Sequence, residues 1–222
     1  MSIDEPLRPS PRDGKQGLLV CPFAINKIGE HKTVNKFSFG YPIGAVVHYT
    51  GSDGQANDVI KYGASQGHAY WVIDQAGGIH QTHLLDSWGY HAGKSQHAEI
   101  GTSLSQHLLG IELICAGKLI QLNDVKFVSW YGKTFLRDDV RLPMSRANIK
   151  RGYYHKITEA QENSLLSLLV WLRLNNPNIF KIKYILGHDE IAPDRKSDPG
   201  GSIPWSMPEL REMLLRAEKL SL

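Results

Sequence analysis

Apolar positions along the chain fall into several short runs and two longer stretches with helical spacing. Ala45 to Tyr49 (AVVHY) is an apolar run closed by a histidine and followed by Thr50-Gly51-Ser52-Asp53-Gly54, which predicts a strand and then a loop. Residues 69–73 and 78–82 flank Asp74-Gln75-Ala76-Gly77, the pattern of a β-hairpin with a glycine turn. Leu109 to Cys115 (LGIELIC) predicts another strand, with one acid embedded in it. Asn57 to Ser65 predicts a short helix with Val59 and Ile60 inward. Thr158 to Asn175 is helical: Thr158 and Gln161 form a capping box, Leu165, Leu168, Leu169 and Leu172 share a face, and Pro177 ends the element. Ile182 to Leu186 predicts a strand. Ser206 to Leu220 predicts a second long helix, capped by Ser206 and Glu209, with Leu210, Met213, Leu214 and Ala217 inward. Strands alternating with helices predict an α/β fold with helices packed on a central sheet.

Residues 117–157 break the pattern. They predict a long insertion with one strand at Phe127 to Trp130, and a segment this long in a compact domain is usually functional. Residues 1–17, with Pro6, Pro9, Pro11, Asp13 and Gly14, read as a loose tail, and 18–222 as a single domain. No run approaches the roughly 18 apolar residues of a membrane span. Met1 to Lys15 holds no apolar core of a signal peptide, so synthesis in the cytoplasm without a leader is expected. Cys21 and Cys115 predict two reduced buried thiols, and no CxxC pair supports a cysteine-based zinc site.

The net charge of +3 is too small to argue for nucleic acid. It is unevenly spread: from Gly132 to Lys156 seven basic residues (Lys133, Arg137, Arg141, Arg146, Lys150, Arg151, Lys156) face only Asp138 and Asp139. Such a patch suits an anionic polymer such as a cell-wall surface, although an ordinary solvated loop has the same composition.

Three residues carry the candidate chemistry. His48 ends one apolar strand, His188 follows another, and Asp198 comes ten residues later in a loop stiffened by proline and glycine. Two imidazoles and one carboxylate suit a catalytic zinc ion, with a fourth position left for water. The competing reading of each histidine is a hydrogen-bonded structural residue. His80 and His83, three apart on a hairpin strand, fall on opposite faces and do not suit one metal.

Four segments, VVHYTGS at 46–52, GYHAGKS at 89–95, LGIEL at 109–113 and GHDEIAPDRKSDPG at 187–200, together resemble the type 2 N-acetylmuramoyl-L-alanine amidases. The resemblance spans about residues 43–215 apart from 117–157. It implies a central mixed sheet flanked by helices, and a zinc hydrolase of peptidoglycan. The bond cut would be the amide joining the lactyl group of N-acetylmuramic acid to L-alanine. Carried onto this chain, it implies one zinc ion on His48, His188 and Asp198. It implies Glu112 as general base and Lys196 as the group stabilising developing charge. Tyr70, His91, Arg195 and Tyr49 stand at positions that imply substrate contacts, although Tyr90 departs from the more usual tryptophan before His91. The chemistry is consistent: an acid flanked by Ile111 and Leu113 is expected to be desolvated, which raises its pKa toward a value useful for proton transfer.

Three functions remain open at this stage: lysis of intact wall after non-classical release, cytoplasmic recycling of anhydromuropeptides, and a binding module that holds muropeptide without cutting it. Retention of all five ligand and catalytic residues favours an enzyme. The expected partner is peptidoglycan or a muropeptide, with no nucleic acid.

Overall fold

The computed structural model describes residues 19–31, 34–38, 42–142, 145 and 147–220. The tail read at 1–17 lies outside the described residues, as does Arg146 of the basic run. The elements in chain order are β1 (Ile25–Asn26), β2 (Gly44–Tyr49), α1 (Ala56–Ser65), β3 (Trp71–Ile73), β4 (Ile79–Gln81) and β5 (Leu108–Leu113). There follow β6 (Lys118–Gln121), β7 (Lys126–Val128), β8 (Thr134–Leu136), β9 (Val140–Arg141) and β10 (Tyr153–His155). The chain ends with α2 (Glu159–Asn175), β11 (Ile185–Gly187), the short α3 (His188–Ile191) and α4 (Met207–Leu220).

The central sheet has six strands in the order β1-β4-β3-β5-β2-β11. It is mixed: β3 and β4 form the antiparallel hairpin, while β3–β5, β5–β2 and β2–β11 run parallel. Side chains alternate across it. Ala45, Val47, Ile111, Leu113, Trp71 and Ile73 are buried against Leu165, Leu168, Leu169 and Leu172 of α2 and Leu210 and Leu214 of α4. Val46, Leu108 and Leu186 face the other way, toward Ala92, Leu104 and Ile191, and Val72 meets Val59 and Ile60 of α1. The apolar runs are nearly continuous because both faces are covered, the usual state of a parallel sheet.

Helix α2 starts at the expected box, with Thr158 Oγ1 accepting from Gln161 N–H and Gln161 Oε1 accepting from Thr158 N–H, both at 3.1 Å. Gln161 is fully buried; its Nε2 donates to the carbonyls of Ile73 and Ile114. The strand expected over 182–186 begins later. Residues 182–184 close a 3₁₀ turn with Tyr184 N–H on Lys181 O, because the Tyr184 backbone lies against Gly44, where a Cβ would sit 2.2 Å from its carbonyl oxygen.

The region read as an irregular insertion is a five-stranded antiparallel sheet, ordered β8-β7-β6-β10-β9. Its strands are two to four residues long, and Leu119, Phe127, Phe135 and Val140 form a small core of their own with Ala116. The single strand expected at 127–130 ends at Val128, and residues 129–133 form the turn to β8, with Ser129 N–H on Lys133 O and Gly132 at φ +88°. Tyr154 of β10 is fully buried against Gly200 and ties this sheet to the loop carrying Asp198. Among the described residues no helix is long and apolar enough to cross a membrane.

His80 and His83 have different partners, and since β4 ends at Gln81, His83 lies beyond the strand on which both were expected. His80 Nε2 meets Asp74 Oδ2 at 2.7 Å, while His83 is buried with Nδ1–H donating to Thr82 Oγ1 at 2.9 Å. Burial, with His31 nearby, pushes the His83 imidazole down from 6.5 to about 3. Between those values the unfolded chain binds a proton that the folded chain refuses, so stability falls as pH drops through that window and is unaffected above it. The loss approaches about 1.4 kcal/mol per pH unit. Denaturant unfolding from pH 7 to pH 4 is expected to flatten by about one proton in His83→Asn; an unchanged slope would remove His83 as the source.

Candidate active site

Parallel pairing and alternation assemble the site at the carboxyl ends of three adjacent strands, where an open α/β sheet gathers its loops. His48 and Glu112 are register partners on β2 and β5. They fall on the face opposite Val47 and Ile111, away from the α2–α4 core. His188 follows directly on β11. The loop after α3 then turns back, with the Arg195 and Lys196 N–H groups donating to Ala192 O at 3.0 and 2.9 Å and Asp189 N–H donating to Asp198 O at 2.8 Å.

His48 Nδ1, His188 Nδ1 and Asp198 Oδ2 form a triangle with sides of 2.8, 2.9 and 3.0 Å. All three residues are buried. The surrounding hydrogen bonds decide the tautomers. His91 Nε2–H donates to Leu108 O at 2.9 Å, so a neutral His91 has a bare Nδ1. That nitrogen accepts from His48 Nε2–H at 3.1 Å, which leaves His48 Nδ1 bare in turn. His188 Nε2–H donates to Ala92 O at 3.0 Å, and its neutral ring likewise has a bare Nδ1. Burial, reinforced by His48, holds His91 well below the ordinary imidazole value, and burial with His188 lowers His48 to about 4. Burial opposes ionisation of Asp198, yet the two imidazoles beside it hold its carboxyl well below the usual carboxylate range.

His48 Nδ1, His188 Nδ1 and Asp198 Oδ2 therefore converge on one point, a donor set that can share a proton or, with both ring nitrogens bare, take up a cation. A divalent cation would satisfy all three donors at once. The sides of the triangle lie slightly inside the edge of about 3.3 Å for a tetrahedral divalent ion with bonds near 2.0 Å, so the donor set fits such an ion after small side-chain shifts. Backbone carbonyls and an imidazole hold the outer ring nitrogens, the usual way of aiming ligand histidines.

Gly110 makes this possible: a Cβ there would sit 2.6 Å from the His91 ring. His91 lies across the glycine of LGIEL and supports His48, and both its ring nitrogens are engaged. Asp189, next to His188 in the chain, accepts from Asn148 Nδ2 at 2.8 Å.

The triangle opens into a cavity of about 600 Å³ whose lining includes Glu112, Lys196, Tyr49, Tyr70, His91 and Trp130. Glu112 is partly buried, and its Oε2 is enclosed without a hydrogen-bond partner among the described residues. Burial first and Asp198 second raise its pKa to about 8, with Lys196 opposing. Tyr70 donates its hydroxyl to Val59 O at 3.1 Å and Tyr49 shares a 2.8 Å bond with Ser197 Oγ, while burial raises both phenols. Arg195 is exposed and braces its neighbours: Nη2 donates to Ala92 O at 3.1 Å and Lys94 O at 2.7 Å. Sequence reasoning missed Trp130, since nothing in the text of 117–157 signals that its turn reaches back to the site.

The family model for N-acetylmuramoyl-L-alanine amidase matches residues 38–201. Among solved structures, the chain is similar to a Se-Met derivative of AmpD, with a TM-score of 0.55 and 20% identity over 86% of this chain and 96% of that one. It is similar to AmiD from E. coli, solved with anhydro-N-acetylmuramic acid-L-Ala-D-gamma-Glu-L-Lys, with a TM-score of 0.53 and 21% identity over 81% of this chain and 60% of that one. It is also similar to the endolysine LysCS from Clostridium intestinale, with a TM-score of 0.50 and 14% identity over 89% and 98%. At these identities the likeness concerns the fold. No curated protein sequence matches the chain.

Proposed function

The chain belongs to the N-acetylmuramoyl-L-alanine amidase family, enzymes acting on peptidoglycan, and from that premise we propose a zinc-dependent mechanism and a substrate in the intact cell wall. The observation that carries the mechanism is the convergence of His48 Nδ1, His188 Nδ1 and Asp198 Oδ2 beside an unpartnered Glu112 oxygen. Zinc held by those three residues would act as a Lewis acid and bring the pKa of water down to about 7, which amide hydrolysis at neutral pH needs.

The chain's own residues do the rest. Glu112 takes the proton of the attacking water as its oxygen bonds to the lactyl carbonyl carbon. The same carboxyl then delivers that proton to the L-alanine nitrogen as the carbon–nitrogen bond breaks. Lys196, on the cavity wall, offers its ammonium to the carbonyl oxygen as negative charge develops there. Tyr70 and Tyr49 shape the wall, and Arg195 fixes the segment from Ala92 to Lys94 against the loop that carries Lys196 and Asp198.

The second sheet favours polymer over small recycled fragments. Lys118, Lys126, Arg137, Lys150 and Arg151 are all exposed on or beside it. Stem peptides carry carboxylates, so a polymer presents many anions to this surface at once.

The test is mass spectrometry of products from purified sacculi and from soluble anhydromuropeptide, with and without a zinc chelator. Free stem peptide beginning at L-alanine is expected from sacculi, and none after chelation with re-addition of zinc withheld. Faster turnover of the soluble fragment would move the substrate to recycling. Binding to sacculi without release would leave a recognition module.

A further inference from the structure

Trp130 is the most exposed large apolar side chain among the described residues, at 77%, yet it is held in place. Its Nε1–H donates to Gly51 O at 2.6 Å. Tyr131 next to it stands edge-on to the indole, centroids 5.6 Å apart and planes at 84°, and donates to Asp53 Oδ1 at 2.8 Å. Lys133 pairs with the other oxygen of Asp53. The β7–β8 turn is thus pinned in three places to the loop that follows His48, and the indole becomes part of the cavity wall.

From this geometry we infer that Trp130 is a saccharide-stacking subsite, supplied by the second sheet and serving the sugar half of the substrate. The inference rests on the amidase reading for its substrate. An exposed ring with one edge hydrogen-bonded and one side backed by Tyr131 has a broad face left free. Aromatic faces are electron-rich and attract the weakly positive C–H bonds that line one face of a pyranose.

The surroundings choose between the two halves of a muropeptide. The wall beside Trp130 includes Thr50, Gly51, Ser52 and Gly54, which offer hydroxyls and backbone groups, with Asp58 further along the same lining. The charge of Asp53 is satisfied by Tyr131 and Lys133. A neutral polyhydroxylated ring fits that wall, whereas the carboxylate of Asp58 in the same lining disfavours an anionic stem peptide. The segment bearing Trp130 lies in 117–157, outside the four segments that carry the sequence resemblance, so the subsite is supplied by the second sheet.

Calorimetric titration of the metal-loaded protein with two probes tests it: the disaccharide N-acetylglucosaminyl-N-acetylmuramic acid, and the free stem pentapeptide. Trp130→Ala is expected to weaken disaccharide binding about tenfold, Trp130→Phe by about twofold or less, and neither to change peptide binding. An unfolding curve for each variant checks integrity; the Phe variant keeps the ring if the Ala variant proves unstable. Peptide binding that falls as much as disaccharide binding would overturn the subsite. So would unchanged disaccharide binding in Trp130→Ala, or no binding of the disaccharide by the parent chain. A chain that binds the disaccharide through Trp130 but releases nothing from sacculi would sink the amidase reading and leave the subsite standing.

Discussion

Glu112→Gln is expected to slow amide cleavage by about 100- to 10,000-fold, the usual contribution of a positioned general acid–base group, while the protein keeps its zinc. Glutamine preserves shape and burial, so nothing about the sheet changes; it removes only the capacity to carry a proton. Glu112 sits one strand over from His48, in register with it, and one of its oxygens is enclosed without a partner. A buried carboxylate without compensation is costly, which is why burial heads the causes raising its pKa to about 8, followed by the charge of Asp198. A cation seated on His48, His188 and Asp198 would work the other way and favour the carboxylate. The group's working pKa therefore lies below 8, where a base that must become an acid in the same cycle is most useful. The sign follows: in the parent enzyme activity rises with pH as Glu112 ionises, and the residual activity of Glu112→Gln lacks that limb. Turnover at the parent rate would remove Glu112 from the reaction, and loss of bound zinc would make its role structural.

How far the sequence reaches depends on whether a contact is local. His48 and Glu112 are legible as single polar residues set in the continuous apolar runs AVVHY and LGIEL, which mark buried strands, whereas their sharing a face follows from the register of β2 on β5. The Thr158–Gln161 cap is equally local. The second sheet was not legible, since each of its strands turns only one or two apolar residues inward and no period can emerge. His91 was placed near substrate by its neighbours in GYHAG, but its position behind His48 depends on Gly110 nineteen residues away across the sheet. Trp130 likewise takes its place from Asp53 and Gly51, about eighty residues earlier in the chain. Long-range packing of this kind leaves no mark in composition or periodicity.

Asp198→Ala and His188→Ala are each expected to reduce bound zinc after dialysis to background and cleavage with it, a larger effect than any other substitution here. Each would remove one of the three proposed protein ligands, and two ligands are too few to hold the ion against water. The tautomer chain makes a graded companion prediction. His91→Phe fills the space over Gly110 but cannot accept from His48 Nε2–H, so the His48 proton is free to move to Nδ1, where it blocks the lone pair. The expected result is zinc affinity about 10- to 100-fold weaker, the usual cost of losing an outer partner of a ligand histidine, with activity restored by excess zinc. Competition titration against a zinc indicator separates the two classes: no measurable site in the ligand variants, a weakened one in His91→Phe. Full affinity in His91→Phe would mean that His48 keeps its orientation by packing alone. Zinc retained in Asp198→Ala would mean that the buried carboxylate serves the histidines rather than the metal, and the reading of the triangle as a metal site would fail with it.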